Sequence, residues 1–105
     1  MKLENEKALI RTIAEGNTKS FEVLFYSYYP RLKGFICDLL QSPEEAEDIS
    51  QDIFTTLWQN RTSLDKIDNI SAYLFRIAKN AVYRHIERNM LFKNYQQKQT
   101  EFTPN

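Results

Sequence analysis

The side chains that could do chemistry fall into two groups. Asp48, Gln51, Asp52, Phe54 and Trp58 put carboxylates, an amide and two rings on about three turns of one helix. Carboxylates and an amide suit a basic protein partner, and a tryptophan is a frequent binding anchor. Arg76, Lys79, Asn80, Tyr83 and Arg84 recur at helical spacing further along and form one polar face. Cations there can meet phosphates, an asparagine can read a base edge, and exposed rings can stack on unpaired bases. Phe75 and Tyr83 are the rings expected to be exposed beside those cations. The charge pattern by itself favours a solvated basic face, and the neighbouring loop and rings pull toward nucleic acid.

Catalytic chemistry has little to stand on. The chain has one histidine, one cysteine and no Gly-rich phosphate loop. His85 reads as a partly buried helix residue, with no second cluster to complete a metal site. Asp48 and Asp52, four residues apart, could touch a divalent ion, but paired carboxylates on a surface helix are usually solvated. We therefore expect no enzyme activity, no catalytic residue, no metal and no cofactor.

The elements that must position these groups are helices. Ser42 caps the helix of the first group, Pro43 suits its first position, and Glu45 completes a capping-box spacing. Ala46, Ile49, Ile53 and Leu57 form its inward stripe, with Phe54 and Trp58 flanking it. A first helix is expected from about Asn5 to Glu15, ended by Gly16, with Asn17 capping the next. The second should run from Thr18 to Leu40, with Pro30 kinking or splitting it near Tyr29. Residues 61–69 lack helical periodicity and read as a loop anchored by Leu64 and Ile67. Asn69 can cap a fourth helix over Ile70 to Arg88, with Leu74, Ile77, Ala78, Ala81, Val82 and Ile86 inward. Residues 91–105 read as a tail or the start of a linker, frayed from about 97 onward.

Composition agrees with this layout. A chain of 105 residues is one domain with a modest core. Only two glycines and three prolines argue against β-hairpins and for long helices with short connections. The lone Cys37 excludes an internal disulfide and points to a reducing cytoplasm, and no signal peptide or membrane-length apolar run is evident. The zero net charge hides a division: residues 1–52 hold 6 Lys+Arg against 10 Asp+Glu, and residues 53–98 hold 8 against 3. An acidic surface for a basic protein and a basic surface for phosphates would give that split, as would chance.

Two stretches carry a family resemblance: Ala-Glu-Asp-Ile-Ser-Gln-Asp-Ile-Phe-Thr-Thr-Leu-Trp, from Ala46 to Trp58, and Ile-Ser-Ala-Tyr-Leu-Phe-Arg-Ile-Ala-Lys-Asn, from Ile70 to Asn80. With Ile10 to Asn17 and Phe21 to Pro30 upstream, they resemble region 2 of bacterial sigma-70-like factors, and most closely the extracytoplasmic-function (ECF) group. The resemblance implies an all-α bundle of about four helices over residues 5–90. It also implies docking of the third helix on the β′ clamp helices of core RNA polymerase, through Asp48, Gln51, Asp52, Phe54 and Trp58. The fourth helix and the loop before it would recognise the non-template strand of the promoter −10 element and hold a flipped base. By position that assigns the loop from Arg61 to Asn69, Tyr73 at the helix start, and Arg76, Lys79, Asn80, Tyr83 and Arg84. Tyr73 stands where many relatives place a tryptophan. An anti-sigma factor is a further expected partner, and the cytoplasm the expected location. Region 4, the second domain usual in this group, is not expected in this chain, which reads as a fragment of a longer protein. The alternative is a helical interaction module, such as a sigma-like decoy or anti-sigma binder, without DNA recognition. The joint presence of Arg76, Lys79, Asn80 and Arg84 favours the first reading. A general duplex-DNA binder is disfavoured by the acidic half and by the lack of an evident helix-turn-helix.

Overall fold

Two helix-ending devices back to back set the first corner of the chain. The structure, a computed structural model, describes the backbone of residues 6–102 and the side chains of residues 6–94. Helix α1 spans Glu6–Ala14. Its last turn closes with Asn17 N–H donating to Thr12 O at 3.0 Å and Gly16 N–H donating to Ile13 O at 2.9 Å. This is the Schellman pattern, and it needs the left-handed backbone that Gly16 supplies at φ +98°. The next residue, Asn17, caps α2 by accepting from Ser20 N–H at 3.0 Å. The chain thus reverses with no spare residue.

Helix α2 runs without a break over Thr18–Leu40, Pro30 included. The expected split near Tyr29 does not occur. Pro30 cannot donate to the carbonyl of Tyr26, so one helix hydrogen bond is lost there. Leu24 and Tyr28 before the proline, and Leu32 and Ile36 after it, are fully buried on one stripe. Each such side chain contributes about 1.5–3 kcal/mol of burial, enough together to offset a proline cost of about 3 kcal/mol.

Helix α3 spans Pro43–Gln59. Ser42 Oγ accepts from Glu45 N–H at 3.3 Å, so half of the expected capping box is present. The other half is not: the Glu45 carboxylate turns to His85 Nε2 on the last helix, 3.1 Å away. His85 is partly buried, as expected. A 3-10 turn over Arg61–Lys66 replaces the first part of the expected loop, and Leu64 pins it to the core at 2% exposure. Ile67 packs against the same core.

Helix α4 starts at Ile70, capped by Asn69 Oδ1 accepting from Ala72 N–H at 3.1 Å, and continues to Phe102. It is longer than the expected Ile70 to Arg88, and the segment expected to fray from 97 is helical through Phe102. Residues 103–105 of the expected tail lie outside the described residues. The fold is all-α. Helix α1 packs on α2 and on the 3-10 turn, while α2 packs on α3 and α4, and α3 on α4. Ile10, Ile13, Leu24, Tyr28, Leu32, Ile36, Ala46, Ile53, Phe54, Leu57, Leu64, Ile70, Leu74, Ala78 and Val82 make one core. Beyond Val82, α4 leaves it: Ile86 is 38% exposed and Met90, Leu91 and Phe92 are more so. The extents are 65 × 24 × 20 Å, the long one reflecting a helix of about 50 Å.

Candidate functional site

Helix α3 is covered on two sides, by α2 and by α4, so its buried sector is wide: Ala46, Ser50, Ile53, Phe54 and Leu57. The remaining surface presents Asp48, Gln51 and Asp52, all exposed, with Gln51 Nε2 donating to Glu47 Oε1 at 3.3 Å. Phe54, expected on the contact face, is instead in the core at 2% exposure. Its ring meets the edges or faces of Phe25 at 5.1 Å, Tyr29 at 6.1 Å and Phe21 at 6.2 Å. One residue past Ile53 on the helix wheel, it falls under α2, a neighbour that the spacing of α3 alone does not reveal. Trp58 is half-buried and packs on Phe21 with centroids 5.1 Å apart. Thr18, Phe21 and Phe25 of α2 join Gln51, Phe54, Thr55, Trp58 and Gln59 of α3 around an open groove of about 480 Å³. Neither Phe21 nor Phe25 is among the site residues expected from the sequence. Their four-residue spacing, matching that of Phe54 and Trp58, is the signal that an aromatic seam joins the two helices.

Arg61 does not join the cationic face of α4. Its guanidinium lies 4.4 Å from the centroid of the Trp58 ring, and Nη1 donates to Trp58 O at 3.0 Å. Its Nε is buried and has no hydrogen-bond partner. Gly16 sits above it, close enough that a Cβ there would lie 3.9 Å from Nε. The pairing follows from the three-residue spacing of Trp58 and Arg61 and from the packing of α1 on the 3-10 turn.

Helix α4 buries Ile70, Leu74, Ala78 and Val82 and turns the opposite side outward. Arg76, Lys79, Asn80 and Tyr83 are exposed there. The cations lie over rings of the same helix: Arg76 is 5.5 Å from the Tyr73 centroid and Lys79 Nζ 5.8 Å from that of Tyr83. Tyr83 is 53% exposed, whereas Phe75, expected beside it, is half-buried edge-on to Phe35 at 5.3 Å. Asn69 is exposed, but its side-chain oxygen is engaged in the cap. Arg84 lies on the flank, where Asp52, Leu64, Tyr73, Arg84, Glu87 and Arg88 are among the residues around a cleft of about 620 Å³ between α3, the 3-10 turn and α4. Ile49, Ile53, Leu57, Ile77 and Ala81 also line it. The two expected groups of site residues therefore meet at this cleft, Asp52 from one and Tyr73 and Arg84 from the other.

Among the described residues, no group of three His, Cys, Asp or Glu side chains could hold a metal ion, and no helix is long and apolar enough to cross a membrane. The arrangement offers binding surfaces: an acidic face beside an aromatic groove, and a cation–ring stripe.

A family model, sigma-70 region 2, matches residues 24–91. The RNA polymerase sigma-H factor of Pseudomonas aeruginosa is 23% identical over 83 residues, which cover 79% of this chain and 43% of that protein. The ECF RNA polymerase sigma factor RpoE of Cereibacter sphaeroides is 31% identical over 75 residues, 70% of this chain and 41% of that protein. The chain spans about two fifths of the length of these curated relatives. No solved structure matches.

Proposed function

Since the chain belongs to the sigma-70 region 2 family, of the ECF type, we propose that it is the part of a sigma factor that binds core RNA polymerase and recognises and helps melt the promoter −10 element. The observation that supports this best is the placement of two exposed faces of different chemistry on one bundle, both inside the matched segment. Asp48, Gln51 and Asp52 on α3, with the groove walled by Trp58, form the surface for the basic β′ clamp helices. Phe54, also at the groove but 2% exposed, backs that wall and offers a partner little surface. Arg76, Lys79, Asn80 and Tyr83, with Tyr73 and Arg84 on the flank, form the path for the unpaired non-template strand. Unstacking a base costs a few kcal/mol. The cleft beside Leu64 and Tyr73 offers an apolar surface against which contacts could offset that cost. Its role is binding and not catalysis, in the cytoplasm, with an anti-sigma factor as a competitor for the same surfaces.

The test is direct binding to bacterial core RNA polymerase, with Asp52→Lys alongside. Reversing an exposed charge on a complementary face should weaken binding about tenfold or more at low salt. Far-UV circular dichroism should not change, because Asp52 is exposed. A folded wild-type chain that does not bind would leave the bundle as a protein-interaction module and the stripe on α4 as a solvated face.

A further inference from the structure

We propose that Arg61 is a positioning residue for the polymerase-docking face: clamped between the Gly16 corner and the Trp58 ring, its guanidinium holds that ring as the wall of the α2–α3 groove. This rests on the reading of that groove as the polymerase surface. It moves Arg61 from the DNA side, where its place in the chain put it, to the polymerase side.

The geometry leaves Arg61 little freedom for a nucleic-acid contact. One face of the guanidinium is over the indole, and Nη1 is committed to the Trp58 carbonyl. Nε is enclosed beneath Gly16. Reaching a phosphate would break the stack and the hydrogen bond together. The position also suits a cation in its own right. Arg61 directly follows the C-cap residue Asn60, and the last carbonyls of α3 form the negative end of the helix dipole. That dipole offsets part of its charge.

The indole in turn is held from two sides, by Phe21 at 5.1 Å and by the guanidinium at 4.4 Å. A half-exposed tryptophan at a helix end would otherwise exchange rotamers, and docking would have to order it. Fixing the ring in advance removes that entropy loss from the binding step. Lysine cannot do the same work, because it lacks the planar group that stacks and forks at once. Buried Nε, without an acceptor, is disfavoured in isolation. Its presence fits a residue kept for where it places its neighbour.

Trp58 is the only tryptophan in the chain, so acrylamide quenching of its fluorescence reads the latch without interference. We would measure quenching and core-polymerase affinity for the whole chain as wild type, Arg61→Ala, Arg61→Met and Arg61→Lys, with circular dichroism to confirm folding. Arg61→Met keeps the apolar stem and serves if Arg61→Ala does not fold. Losing the guanidinium should raise the quenching constant about twofold and weaken polymerase binding about tenfold, with Arg61→Lys recovering only part of either. Two results would overturn the proposal: freer indole with unchanged affinity, or unchanged affinity with reduced capture of −10 single strand by the assembled polymerase. Failure of the wild type to bind polymerase would instead remove the docking reading, and quenching would still decide whether Arg61 holds the ring.

Discussion

Two asparagines separate what a residue can do from where it sits. Asn69 and Asn80 were both expected on the DNA path, and both are exposed. The oxygen of Asn69 is engaged with Ala72 N–H, while Asn80 carries no side-chain hydrogen bond among the described residues and lies between the cations. Asn80→Ala should leave polymerase affinity unchanged and cost about 1–3 kcal/mol in capture of a −10 single strand, measured by fluorescence anisotropy of the labelled oligonucleotide. Asn69→Ala should instead lower the urea midpoint, by about 1 kcal/mol of stability, the ordinary value of an N-cap. A similar loss of capture in both variants, with stability intact, would make Asn69 a contact after all. At this scale the sequence was legible wherever exposure follows from a single helix wheel, as for Asp48, Gln51, Asp52 and Lys79. It did not reveal the surroundings of Phe54 and Arg61, because each is governed by a neighbour distant in the chain: α2 for the first, the Gly16 corner for the second.

The helices themselves were the most legible part, since their caps are written in side chains. Thr18–Leu40 matches its expected span, and Ser42, Pro43 and Asn69 act where cap chemistry places them. The exceptions have local reasons. Pro30 stays inside α2 because burial on both sides outweighs one lost hydrogen bond, a balance that local propensity does not contain. The stretch 61–66 is a 3-10 turn because it is too short for α-helical periodicity, yet Leu64 must reach the core. The corner at Gly16 is the most exacting connection. At φ +98° an L side chain is strained, although a Cβ would meet no clash, its nearest neighbour, Arg61 Nε, lying at an ordinary contact distance of 3.9 Å. Gly16→Ala should therefore cost about 1–2 kcal/mol, from backbone strain and not from a clash, seen as a lower thermal midpoint with unchanged helicity. A neutral result would mean that the corner relaxes without affecting the helices it joins.

Across the whole molecule, Tyr28 ties three helices together. It is fully buried on α2, and its hydroxyl donates to Glu6 Oε1 on α1 at 3.4 Å, while Arg31 lies 5.2 Å from its ring centroid. Burial, followed by the Glu6 carboxylate, raises its pKa above the ordinary 10.0; a hydrogen bond with Ser71 of α4 and the charge of Arg31 oppose the rise. A raised folded-state pKa means that the folded chain holds this proton more tightly than the unfolded chain. The resulting stability is complete below the unfolded value near 10.0 and is lost as pH rises through the folded one. Denaturation followed from pH 8 to 11 should show that loss, and Tyr28→Phe should flatten part of the decline by removing the titrating group. An identical alkaline decline in the variant would assign it to other tyrosines and lysines.

The unbroken course of α4 from Ile70 past Phe92 also fixes an angular relation. Met90, 59% exposed, follows Tyr83 by seven residues, so it lies within about 20° of the same azimuth on the helix. The rod behaves like a geared shaft, on which residue count sets the direction that every later side chain faces. One residue inserted between Tyr83 and Met90 would turn the distal arm by about 100°. Seven would restore its heading while moving it outward by about 10 Å. Whatever the arm of α4 meets is thereby indexed to the cation–ring stripe by the pitch of a single helix.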